Sequence, residues 1–174
     1  RALVRGRAGA PLRAVARFAA RPLPSWLLFN LTFLAWHLPP LYDAALRSGP
    51  VHALEHLSFF ATALLFWTRA IDSPPWRSPL GEVGRVAYLA SAMVVGWVLA
   101  IVLALAGSPL YAAYAGEAGR PGGISALTDQ QLAAGVMWVP GSLPFAVAIV
   151  VIAYRWLEPE GPPRLAVGKL ARSP

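Results

Sequence analysis

Cysteine is absent from all 174 residues, which excludes a disulfide framework, a thiolate metal site and thiol catalysis at once. Any metal must then be held by His, Met, Asp or Glu. Charge is also scarce: 13% of the residues are Asp, Glu, Lys or Arg, where about 25% is usual for a soluble domain. Hydrophobic residues make up 57%, above the usual range of about 45–50%, so a soluble bundle is not expected. No nucleophile stands beside a readable base and no glycine-rich phosphate loop occurs, so catalysis is not expected. No internal repeat is visible. There is no charged n-region followed by an apolar run and cleavage site, hence no readable signal peptide, and a chain that opens at Arg1 is expected to be a fragment.

What the chain has instead is apolar runs. Residues 23–42, 51–70, 86–107 and 132–157 each approach or exceed the roughly 20 residues a helix needs to cross a hydrocarbon layer of about 30 Å. These predict an all-α, polytopic membrane bundle of four transmembrane helices. The first run should end near His37, because Pro39-Pro40 cannot continue a helix without losing backbone hydrogen bonds. The fourth carries Pro140, Gly141 and Pro144, which predict a kink. The domain plan is a basic leader at 1–22, a membrane domain at 23–157 and a flexible tail at 158–174. Within the leader, residues 12–21 suit an interfacial helix on anionic lipid, and residues 1–11 a solvated topology signal.

Orientation follows from the basic residues. Of the 15 Lys and Arg residues, only Arg47 and Arg120 fall on the side opposite the leader, the second interhelical loop and the tail. The positive-inside rule makes that basic side cytoplasmic, with both termini on it. The net charge of +7 is thereby a topology signal rather than a nucleic-acid footprint. Trp26, Trp36, Trp67, Tyr42 and Tyr111 lie near run ends, where aromatic residues anchor depth at the interface.

This topology delivers His37, His52 and His56, all the histidines in the chain, to the outer rim. His52 and His56 are four residues apart, so they share a helix face and can reach one ion together. Neutral imidazole suits copper or zinc. Glu55 fits as third ligand, as proton acceptor or as the carboxylate that orients a ligating imidazole. The competing reading is that such histidines cap helix starts and bind nothing. Asp129 suits an N-cap or first-turn acid, with ligation as the alternative. Met137, about two turns deeper, can offer a thioether to Cu(I) or simply pack; Met93 reads as packing.

The blocks AWHLPPLYDAALRSGPVHALEHLSFFATALLFW, PLYAAYA and LTDQQLAAGVMWVPG resemble the CtaG family of cytochrome c oxidase assembly factors, with one extra proline in Trp36-His37-Leu38-Pro39-Pro40. The similarity runs from about residue 23 to 156. It implies a multi-pass protein of the bacterial inner membrane that helps mature haem-copper oxidase, through copper delivery or insertion, with oxidase subunits and the lipid bilayer as partners. It also places His37, His52 and His56 in the family's histidine motifs, and Asp129, Gln130 and Met137 in its last block. Members carry further spans with another histidine motif before this region, which this chain lacks. The copper, expected as Cu(I), would be held by His37, His52, His56, Glu55, Met137 and Asp129. Two other functions stay open: a metal-free membrane scaffold for oxidase subunits, and a haem-binding electron-transfer protein with bis-histidine ligation.

Overall fold

A computed structural model describes residues 10–72, 77–116 and 120–158, and the regular structure in them is helical throughout. Helix α1 is Ala10–Ala19, α2 Pro22–Trp36, α3 Pro39–Arg47, α4 Gly49–Ala70, α5 Glu82–Leu105, α6 Ala112–Ala115 and α7 Ala126–Leu157, with one 3-10 turn at Pro121–Gly123. The first nine residues of the leader and the expected flexible tail from position 159 lie outside the described residues.

Proline sets most of the boundaries. It is tolerated in the first helical turn, where its missing N–H would be unpaired anyway, and α2, α3 and α4 all begin with one at N1 or N2. Pro39 forces the preceding Leu38 into extended backbone (φ −69°, ψ 134°), so α2 stops with His37 as its C-cap. The stop near His37 is where the sequence places it. Residues 38–42, however, do not extend the first span: they open α3, a separate helix that fills most of the presumed loop before Val51.

The expectation of four spans is met in part. Among the described residues, two helices are long and apolar enough to cross a membrane, Glu82–Leu105 and Ala126–Leu157. Helix α2 is apolar, but its 15 residues reach only about 22 Å. Helix α4 has 22 residues, yet His52, Glu55, His56, Ser58, Thr62, Thr68 and Arg69 dilute its hydropathy. Helix α7 begins six residues before the expected 132 and runs unbroken through Pro140 and Pro144. Its start is capped by the Ser125 hydroxyl, which accepts the Thr128 N–H at 3.1 Å.

The four long helices pack as two pairs, α2 with α4 and α5 with α7, and one apolar core joins them. Phe66 is its centre. Fully buried, it stacks on Phe29 of α2 at 4.4 Å and on Tyr88 of α5 at 4.6 Å, and meets Phe145 of α7 at 6.0 Å. Hydrogen bonds from aromatic polar tips tie the same helices together. The Trp26 indole donates to Ser91 at 3.1 Å, Trp36 to Ser58 at 2.8 Å and Trp97 to Ser142 at 2.6 Å, while Ser25 and Tyr88 share a bond of 2.9 Å. Trp36 therefore turns inward to its serine partner, Trp26 bonds Ser91 at an exposed position, and Trp67 packs on the core. A buried indole N–H needs an acceptor, and serine is the smallest side chain that supplies one.

The outer faces are apolar. Leu28, Leu31, Phe60, Leu64, Val98, Val139 and Val150 are all exposed, and only 6% of the most apolar stretch of α7 is buried. Such continuous exposed apolar surface suits lipid, not water.

Candidate metal centre

The C-terminal ends of α2 and α5, the N-terminal ends of α4 and α7, and the short helices α3 and α6 gather at one end of the bundle. Asp43 of α3 clips this end together. It is buried, its Oδ1 accepts the Ala113 N–H of α6 at 3.1 Å, and its Oδ2 pairs with Arg47 at 3.0 Å. Tyr42 and Tyr111 stack beside it with centroids 3.9 Å apart. The Tyr111 hydroxyl donates to the His37 carbonyl at 3.1 Å, covering an acceptor that the end of α2 leaves open.

Beneath this lid lies a cavity of about 180 Å³ lined by His37, Tyr42, Tyr111, Asp129, Gln130 and Met137, among others. It unites three of the sequence candidates, His37, Asp129 and Met137, from two helices. The His37 Nδ1 lies 2.7 Å from the Phe33 carbonyl, which can only accept, so Nδ1 carries the proton and Nε2 keeps the lone pair. Asp129 sits in the first turn of α7, 3.7 Å from the Arg120 guanidinium, where the helix dipole also favours its charge. Gln130 has a structural task instead: it is buried, its Oε1 accepts the Leu110 N–H at 2.9 Å, and its Nε2 donates to the Leu103 carbonyl at 3.0 Å.

The other three candidates stand on α4. His52 and His56 share a face, as their spacing requires, with Nε2 atoms 3.0 Å apart and rings edge to face. Behind them the Glu55 carboxylate lies 3.5 Å from His52 Nδ1. A carboxylate attracts the proton to Nδ1, so His52 Nε2 accepts and His56 Nε2–H donates. The two Nε2 atoms thus share one proton on the exposed face, and a carboxylate backs one ring as in many metal-bound histidines. His52 is 55% exposed and Glu55 15%, so the imidazoles face outward while the carboxylate points toward the bundle. Among the described residues, no group of three or more His, Cys, Asp or Glu side chains is arranged to hold a metal, so the three histidines do not converge on one point.

Burial first, then the charges of Glu55, Asp129 and Asp43, raises the Tyr42 phenol above its usual range. Tyr111 is pushed up to about 12, by burial and then by Tyr42. Both remain neutral hydrogen-bonding groups at physiological pH.

Two imidazole nitrogens bound to one ion at about 2.0 Å each stand about 3.3 Å apart in a tetrahedral site and about 4 Å in a linear one. The His52–His56 pair needs only a small opening to reach either, and its exposure leaves room for that. Two imidazoles with a carboxylate behind one of them are donors that suit a borderline cation. At this same end lie the sequence blocks around His37, His52 and Met137. The sequence model of the cytochrome c oxidase caa3 assembly factor family, CtaG, matches residues 1–159. The chain belongs to that family. Neither a curated relative nor a solved structure matches it. Membership in a family of cytochrome c oxidase assembly factors ties the protein to that oxidase.

For this CtaG-family chain, sequence reasoning passed over Asp43 and gave Tyr42, Tyr111 and Gln130 other places, as interfacial aromatics and a family-block residue; Asp43, Tyr42 and Tyr111 hold the rim together and Gln130 braces its floor. An acid inside the apolar α3 face was a usable signal for Asp43. Nothing local showed the bond that Tyr111 makes, whose partner is 74 residues away.

Proposed function

We propose that this protein is a membrane-embedded assembly factor that holds Cu(I) at the outer rim of its bundle and presents it to cytochrome c oxidase. The observation that carries the proposal is the His52–His56 pair, two Nε2 atoms 3.0 Å apart on an exposed face with Glu55 behind one ring. A soft cation entering there takes the Nε2 lone pair of each ring, the proton of the donating ring moving to its own Nδ1, so the pair binds as two neutral imidazoles. Two-coordinate ligation on an exposed face leaves positions open for an acceptor's ligands, which suits transfer of a cargo rather than storage.

In this proposal α2 and α4 also lie in the bilayer, making four membrane segments. The polar residues of α4 that depress its hydropathy are largely internal: Ser58 accepts from Trp36 and Thr62 bonds back to the Ser58 carbonyl, while Leu57, Phe60 and Leu64 face outward. The shortness of α2 is met by local thinning of the bilayer, at a modest cost. With the basic segments cytoplasmic, the histidine end faces the periplasm of a bacterial inner membrane.

The test is copper content. Protein purified from copper-supplied cells should retain copper, and His52→Ala or His56→Ala should reduce it; undiminished stoichiometry in both variants defeats the proposal. The apolar stripe of α4 next to the pair also suits a metal-free docking role, and that role prevails if a variant with all three histidines replaced by alanine still restores oxidase assembly.

A further inference from the structure

The methionines at positions 93 and 137 are the only two in the chain, and both line one cavity. It holds about 110 Å³ between α2, α5 and α7, one level deeper in the bundle than the His37 cavity. Its other walls include Asn30, Phe33, Trp97 and Phe145. Methionine is a flexible gap-filler, and one that only packed would be expected to close the space at its end. Here both methionine residues, on facing helices, line a space that stays open. No carboxylate, imidazole or ammonium lines it, which disfavours Mg²⁺, Ca²⁺ and Zn²⁺, since these need oxygen, nitrogen or thiolate donors. Uncharged sulfur donors select a soft monovalent ion. The aromatic walls present negative ring faces, which offset part of the cost of a single positive charge away from water. The Trp97 ring is held in place by its bond to Ser142, and the Ser142 hydroxyl in turn donates to the Trp138 carbonyl.

Met137 also lines the outer cavity, with His37 and Asp129. Along α7 the lining residues recur every four positions, with 129, 133 and 137 outside and 137, 141 and 145 inside, so Met137 is the shared wall. On α2 the junction is the His37 ring packed on Phe33, 4.6 Å between centroids.

We propose that Met93 and Met137 form a second, thioether site for Cu(I) inside the bundle, reached from the rim cavity past Met137. This rests on the reading of the protein as a copper carrier and adds an internal site to the exposed histidine pair. The ion keeps its charge and oxidation state on entry, so no redox partner is involved.

The experiment uses the full chain in lipid nanodiscs loaded with Cu(I) under reducing conditions. X-ray absorption at the copper edge should show sulfur neighbours in the wild type. A Met93→Leu/Met137→Leu double variant, close to isosteric, should lose that signal and about one bound ion per chain in chelator competition. His52→Ala/His56→Ala should keep the sulfur signal. A wild-type spectrum free of sulfur, or full stoichiometry in the methionine double variant, overturns the inner site. Loss of copper in the histidine variant alone leaves the rim proposal standing without the inner site; loss in the methionine variant alone leaves the inner site without the rim.

Discussion

Gln130 offers the sharpest test of how the rim is built. Its side chain is only 5% exposed and closes two gaps in the backbone: the Leu103 carbonyl, among the acceptors that the last turn of α5 leaves unpaired, and the N–H of Leu110 in the following loop. Gln130→Leu keeps the volume and deletes both bonds. A buried group left without its partner costs about 1–3 kcal/mol. Leu103 is buried, which puts its carbonyl at the upper end of that range; Leu110 is half-exposed, so water can replace part of the second bond. The sum is about 3–4 kcal/mol, which corresponds to roughly 10 °C in melting temperature for a chain of this size. Thermal unfolding in micelles, followed by tryptophan fluorescence, measures it. Gln131→Leu is the control. Its amide makes the same kind of bond, to the Ala104 carbonyl at 3.1 Å, but from an exposed position, and should cost less than about 1 kcal/mol. If both variants melt with the wild type, or both fall equally, burial is not what gives Gln130 its weight and the reasoning fails.

Other consequences are as direct. Phe66→Ala empties the centre of the core shared by all four long helices and should cost about 3–5 kcal/mol in the same assay. Asp43→Ala removes the anchor of α6 and should cost about 1–2 kcal/mol while raising chymotryptic cleavage at Tyr111. Tyr111 ionises at about 12 in the folded protein and at 10.0 when unperturbed, so its contribution to stability is intact below pH 10 and is lost as pH climbs toward 12. Tyr111→Phe should flatten the pH dependence of unfolding in that window.

Several elements could be read directly from residues. Pro39-Pro40 ends α2 because proline has no amide hydrogen and restricts the residue before it, which is local chemistry and needs no tertiary knowledge. The i, i+4 pairing of His52 and His56 is equally local, since helix geometry alone puts the rings together. The α3 helix was hidden because its nine residues are amphipathic and short, and such a segment is helical only when packed, here on α4 and α6. The serine partners of Trp26 and Trp36 were hidden as well: they are 65 and 22 residues distant, and the span-end position of an indole does not say what it bonds to.

By itself, the sequence determined the all-helical fold, the family and the shared face of the two α4 histidines, because hydrophobic periodicity, proline sterics and helix repeat act over a few residues. Tertiary structure alone decided that His37 opens into a cavity with Asp129 and Met137 while His52 and His56 face outward, and that both methionines border one void. Those outcomes depend on the rotation of each helix about its own axis. That rotation is set by side chains on neighbouring helices, such as Phe66 against Phe29 and Tyr88, and no local stretch of sequence contains it.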